Sequence, residues 1–176
     1  VDPGTSQIPW IAGGLLGHAE TPRETPAFRG LTYLISRGYQ RIAVLEHSPG
    51  NRPSPLNEQA VEQVLADHQA ELDITLHQGN NSVLDRNGRA VMNSILTVPE
   101  SRPDALLSLD DNLTRGAIFA ILEHGLRIPQ DIAVLSHANK GSAIMSPVPL
   151  TMLENDPSFF AANLLDALEA RLAGHN

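Results

Sequence analysis

Four consecutive residues, Ile42-Ala43-Val44-Leu45, are apolar with no polar residue among them. Side chains alternate between the two faces of a strand, so such a run leaves no face for water. Strands of this kind belong to parallel sheets covered by helices on both sides. The pattern recurs at Ala105 to Leu109, interrupted by Ser108 alone, and at Ile132 to Leu135, while Leu72 to His77 is a half-buried version with Ile74 and Leu76 on one face. Short strands alternating with helix-length segments imply βαβ units with right-handed crossovers. The expected fold class is therefore α/β, a three-layer parallel sheet flanked by helices.

The helical segments carry their own start and stop signals. Thr25-Pro26 opens a helix with Pro at its first position, where the missing N–H costs nothing. Phe28, Leu31, Leu34 and Ile35 follow at helical spacing, and Gly38 ends it. Ser54-Pro55 opens a second helix bearing Leu56, Ala60, Val61, Val64 and Leu65. A third is expected over 85–96. A fourth, with Leu113, Ala117, Ala120 and Ile121, is expected to be capped by Asp111 and stopped by Gly125. Pro147-Val148-Pro149 then breaks the cycle. Thr151 to Leu153 reads as a short strand, and Asp156-Pro157 opens a last helix with Phe160, Leu164, Leu165, Leu168 and Leu172. The first 25 or so residues stand outside the series, with a strand expected at 8–12 and a loop at 18–22.

Composition narrows the function classes. The 176 residues carry 12 Lys and Arg against 20 Asp and Glu, a net charge of -8, with no basic run, which argues against direct contact with DNA. Cys is absent, so disulfides and thiolate metal sites are excluded. No apolar run reaches the ~18 residues of a membrane span, and no secretory leader pattern is visible. A cytoplasmic location is expected. The chain begins at Val1 and is read as a fragment of a longer protein.

Seven His invite a metal or triad reading, yet no pair has the i, i+4 spacing of a helical zinc motif, and no G-x-S-x-G surrounds Ser48. Most are expected to be structural. His47 and His137 differ because each is placed just past the carboxyl end of an expected strand, where open α/β sheets bind ligands. Gly13-Gly14 and Gly17 lack the spacing of a dinucleotide loop. Asp110-Asp111 suggests a carboxylate pair. The simpler expectation is that Asp111 caps the helix while Asp110 points into the cleft. Loops at the same edge are rich in amides and hydroxyls, including Asn51, Ser54, Asn57, Asn80, Asn81, Ser82 and Asn139. Singly these are ordinary loop residues; together they suit a polar neutral ligand. No cofactor and no metal is expected.

The segment from Asp104 to Asp156 resembles the lac-repressor/gal-repressor family of transcription regulators. The residues that carry the resemblance are Gly125-Leu126-Arg127-Ile128-Pro129 with Asp131-Ile132, followed by Pro149-Leu150-Thr151. Upstream, LISRGYQRIAVL is similar to the family's pattern around its G-H-R-x-I-A-x-L. The resemblance covers roughly 25–172. It implies a periplasmic-binding-protein-like, two-lobed effector domain whose DNA-binding headpiece lies outside this chain. Residues 1–24 are then expected to be a crossover segment from the amino-terminal lobe, 25–148 the carboxy-terminal effector-binding lobe, and 149–176 the return crossover strand and final helix.

The family's site residues carry over unevenly. Its cleft Arg falls near Asn57, with Arg52 as a substitute from the loop, and its aromatic residue falls near Asn81. The Asn or Asp before the next helix is kept as Asp110. The F/Y-D-D after the last strand becomes His137-Ala138-Asn139, so one ligand-binding Asp is lost. Asp2 is expected to face these residues from the other lobe. The implied effector is a small polar molecule, sugar-like, binding without turnover. The implied partners are a second copy of the protein in a homodimer and DNA only through the headpiece, with no membrane. The alternatives are a transport-type periplasmic sugar-binding protein and, further off, a hydrolase using Asp110 and His137.

Overall fold

The computed structural model describes residues 21–47, 52–68, 71–79, 84–141 and 144–172. Five strands, β1 (Arg41–His47), β2 (Asp73–Gly79), β3 (Ala105–Ser108), β4 (Ala133–Asn139) and β5 (Thr151–Asn155), form one sheet in the order β2-β1-β3-β4-β5. Every neighbouring pair is parallel. The helices are α1 (Pro26–Ser36), α2 (Pro55–Asp67), α3 (Leu84–Leu96), α4 (Asp111–Glu123) and α5 (Pro157–Leu172), with short 3-10 turns at Pro22–Glu24 and Pro99–Ser101. This is the α/β class that the apolar runs require.

The alternation along each central strand divides the core in two. Ile42 and Val44 of β1, Ala105 and Leu107 of β3, and Ala133 and Leu135 of β4 pack with Leu31 and Leu34 of α1 and Val64 of α2. Ala43, Leu45, Leu106 and Val134 face the opposite way, onto Met92 and Leu96 of α3 and Leu113, Ala117, Ile118 and Ile121 of α4. Burying a Leu or Ile side chain contributes roughly 1.5–3 kcal/mol, so neither helix layer is dispensable. Ile74 and Leu76 of the edge strand β2 join the α1/α2 side, as their period-two spacing predicts.

The helix ends follow local chemistry. Thr25, buried to 2% exposure, accepts the Phe28 N–H on its Oγ1 at 3.0 Å and caps α1. Gly38 after α1 and Gly125 after α4 take φ of 92° and 72°, the left-handed region where a Cβ is disfavoured. Helices α3 and α4 meet backbone to backbone: a Cβ on Gly88 would lie 2.0 Å from the Leu113 carbonyl oxygen, and one on Gly116 would lie 1.8 Å from that of Asp85.

Some boundaries differ from expectation. β1 runs to His47 and β4 to Asn139, so His47 and His137 lie within strands rather than beyond them. The hydrogen-bonded ladder extends past the apolar run because parallel neighbours continue the pairing. The expected strand at 8–12, the glycines 13, 14 and 17, and the loop residues 80–82 fall outside the described residues.

Candidate functional site

In the order β2-β1-β3-β4-β5 the connection from β1 runs one way, to β2, and the connection from β3 runs the other way, to β4, so the order reverses between β1 and β3. Ligands in open α/β sheets bind outside the carboxyl ends of the strands at such a reversal. Here that edge is formed by the ends of β1, β3 and β4 and by the first turns of α2 and α4.

The end of β1 supplies a group that the sequence reading missed. Glu46 is 2% exposed. Its Oε1 accepts the Ser54 backbone N–H at 2.8 Å and the Gln78 side-chain amide, and its Oε2 accepts the Asn57 side-chain amide. The Ser54 side chain makes no cap bond, so the Glu46 carboxylate holds the entry to α2 instead. A buried carboxylate is tolerable only when its oxygens receive donors in this way. A single charge closing an apolar run was the one available signal.

The end of β3 corrects an expectation. Asp110, not Asp111, is the cap of α4: its Oδ1 accepts the N–H groups of Asn112 and Leu113, both at 2.9 Å. Asp111 is the first residue of the helix and, among the described residues, accepts only the Asn112 side-chain amide, at 3.0 Å. The helix starts one residue earlier than the apolar pattern suggested, and the Asp in extended backbone geometry takes the cap. The Oδ2 of Asp110 makes no hydrogen bond among the described residues. Around this turn the Ser108 and Thr114 hydroxyls donate to the Asp110 carbonyl at 2.9 and 2.8 Å, and Thr114 Oγ1 lies 2.6 Å from Ser136 Oγ of β4.

The end of β4 brings His137 beside this turn. Burial pushes its imidazole below the ordinary value of 6.5. A backbone hydrogen bond at Leu109 and the carboxylates of Asp111 and Asp110 oppose that shift, and Arg29 of α1 adds to it. His137 is therefore neutral at pH 7, presenting a donor and an acceptor rather than a charge. Asn139, at the last position of β4, is exposed and pairs in register with Asn155 of β5.

The expected site residues thus fall in three groups. Asp110, His137 and Asn139 stand at the ends of β3 and β4. Asn57, in the first turn of α2, is tied to Glu46 at the end of β1, with the exposed Arg52 just before that helix. Asp2 and Asn81 lie outside the described residues. No group of three or more His, Asp or Glu among the described residues has metal-binding geometry.

Two hollows of about 330 and 380 Å³ lie at the opposite, amino-terminal edge of the sheet. The first is bounded by Tyr33, Arg37, Tyr39, Pro149 and Thr151, the second by Gln40, Glu71, Asp73 and Asp104. The carboxyl edge is the stronger candidate, because the reversal of strand order and the gathered helix starts both lie there.

This sheet order with a polar carboxyl edge defines one lobe of a periplasmic-binding-protein-like fold. The chain belongs to the periplasmic binding protein-like domain family, whose model matches residues 31–176. Among curated proteins it is 28% identical over 144 residues to the HTH-type transcriptional repressor PurR of Actinobacillus pleuropneumoniae serotype 3 (strain JL03), covering 80% of this chain and 41% of that protein. The chain thus spans less than half the length of such relatives. Among solved structures it is similar to a LacI family transcriptional regulator from Lactobacillus casei with bound sucrose, at 25% identity and a TM-score of 0.68, over 85% of this chain and 55% of the other. A sugar-binding LacI-family regulator from Escherichia coli complexed with phosphate shares the fold, with a TM-score of 0.73 at 20% identity over 89% of this chain and 55% of that one. The resemblance carried by residues 104–156 is borne out: this is an effector-binding domain of the LacI type.

Proposed function

We propose that the chain is the ligand-sensing part of a transcriptional regulator, and that its effector is a small polar molecule held at the carboxyl edge by Asn57, Asp110, His137 and Asn139, with Arg52 at the rim. The observation that carries this reading is the position of these residues at the reversal of strand order. The names of the curated relatives favour a regulator over a transport protein or a hydrolase, so binding without turnover in the cytoplasm is the reading adopted. Asp2 and Asn81 complete the proposed set. Residues 1–24 and 149–176 are assigned to crossovers toward a second lobe. The exposure of Leu165, Leu168 and Leu172 on α5 supports this assignment, since a helix apolar on an open face needs a neighbour. DNA contact is assigned to a headpiece outside this chain, and the regulator is assigned as a homodimer. Effector binding then shifts a closure equilibrium between two lobes.

The test is a titration of the 15N-labelled chain with a panel of sugars and nucleosides. The expected result is shifts gathered at the first turns of α2 and α4 and the end of β4. Shifts confined to the amino-terminal edge, or a folded chain with no shift from any member of the panel, overturn the assignment.

A further inference from the structure

A primary amide has a donor end and an acceptor end, and a carboxylate beside it decides which end turns away. Both amides next to Glu46 are oriented in this manner. Asn57 and Gln78 each direct the side-chain NH2 at the carboxylate. The reverse orientation would set oxygen against oxygen. Their own oxygens are therefore left to point elsewhere. Gln78 Oε1 has no donor among the described residues but is closed off from solvent, so the acceptor left for a ligand is Asn57 Oδ1, which receives no hydrogen bond among the described residues. The first backbone N–H at the entry to α2, that of Ser54, is also taken by Glu46 and is withdrawn from any anion. The end of β1 therefore offers an acceptor backed by a carboxylate.

We propose that Glu46 is a specificity-determining, positioning residue of the effector site: by holding the Asn57 NH2 so that the amide oxygen turns away from the carboxylate, it selects an effector that presents N–H or O–H donors there, an amino group above all, and rejects one that presents a phosphate or carboxylate. The proposal rests on the reading of the carboxyl edge as the effector site. The neighbouring strand end agrees in sign. Asp110 and Asp111 stand there, and the buried His137 adds no positive charge. Of the cations on this side, Arg52 is exposed at the rim, outside the fixed hydrogen-bonded group.

Glucosamine, glucose and glucose 6-phosphate share one ring and differ in the group at issue, so they serve as probes with the 15N-labelled chain. The side-chain NH2 signals of Asn57 and Gln78 are expected to move with glucosamine and glucose, with glucosamine favoured over glucose 6-phosphate by about tenfold in Kd. Glu46→Gln replaces an acceptor-only group with one that also donates, which releases the amide orientation. The preference is then expected to fall below about threefold while the melt stays cooperative. A Glu46→Gln chain that melts lower yet keeps the full preference shows a structural role only and overturns the proposal. Where that variant does not fold, Asn57→Leu removes the acceptor and keeps the carboxylate. It is expected to weaken glucosamine by about tenfold and to leave glucose 6-phosphate unchanged; equal weakening of all three probes overturns the proposal. If glucose 6-phosphate moves the same signals in the parent as strongly as glucosamine, this inference fails and the effector site stands. If no probe here or in the nucleoside panel moves any signal at the carboxyl edge, the effector reading fails and takes the inference with it.

Discussion

Asp110 combines two tasks that substitution can separate. Its Oδ1 closes the N-terminus of α4 through two backbone donors at 2.9 Å, and its Oδ2 is not engaged by the described residues. Helix α4 buries seven residues, from Leu113 to Ile121, so its first turn cannot fray without disturbing the core. Loss of an Asp cap costs about 1 kcal/mol and up to ~2. Asp110→Ala is therefore expected to destabilise the chain by ~1–2 kcal/mol, a fall in Tm of roughly 2–8 °C at ~2–4 °C per kcal/mol for a protein of this size. Asp110→Ser keeps a capping oxygen and removes the charge. It should stay within about 0.5 kcal/mol of the parent and bind an effector about tenfold more weakly, as expected for a lost charged partner. Asp111→Ala gives up only a first-turn charge and one bond to Asn112, and should cost about 0.5 kcal/mol. Thermal and urea melts of the three variants, with titration against any ligand found in the panel, check both parts. If Asp111→Ala proves more destabilising than Asp110→Ala, the cap assignment is wrong. If Asp110→Ser binds like the parent, the carboxylate does not reach the ligand.

Gly116→Ala would gain about 1 kcal/mol of helix propensity, but its Cβ would meet the Asp85 carbonyl oxygen at 1.8 Å and the Arg89 nitrogen at 2.7 Å. A net loss of about 2 kcal/mol or more is expected in a urea melt, and an unchanged midpoint would contradict the backbone-to-backbone contact of α3 and α4. Acid should weaken the fold in two stages. His77 and His137 are both lowered from 6.5 by burial, so stability is present above that value and declines as pH falls through their folded values. Asp131, held to about 2 by the Arg127 side chain and backbone, and Asp156, held to about 2 first by the Ser158 hydroxyl and then by Lys140, contribute stability above the ordinary 3.8 that is lost as pH drops toward 2. Asp131→Asn should flatten the lower stage while leaving the upper one, and a pH series of urea midpoints with identical slopes in both proteins would refute this.

The strands were legible because their burial is a local property of sequence. Ile42 to Leu45 is apolar on both faces wherever it is placed, and only a covered parallel sheet accommodates that. Helix starts at Thr25 and Pro55 were legible for the same reason, since capping chemistry spans three or four residues. The site was harder to read. Two adjacent Asp residues are equivalent as letters, and the choice between them as a cap depends on where the strand ends and extended geometry gives way to helix. Glu46 looked like an ordinary charged terminus to an apolar run. Its burial depends on donors 8, 11 and 32 residues away, at Ser54, Asn57 and Gln78, and pairing over such distances leaves no periodic trace. Asn57 was singled out for a ligand on position alone; its bond to Glu46 shows that half of its amide is already engaged.

The same bonds indicate where motion belongs in the proposed mechanism. Ser108, Asp110, Thr114 and Ser136 connect the end of β3, the first turn of α4 and β4 through separations of 2.6 to 2.9 Å. Glu46 does the same for β1, β2 and α2. Rearranging either bracket would leave buried polar groups without partners, at about 1–3 kcal/mol each. An effector with a micromolar Kd supplies ~8 kcal/mol in total at standard state, and only the part that differs between two states can drive a change. Breaking several such bonds inside the lobe would consume most of that difference. Moving the lobe as a unit consumes none of it. In the two-lobed arrangement proposed above, closure against a second lobe is therefore the cheaper route from binding to a change in the position of a distant headpiece.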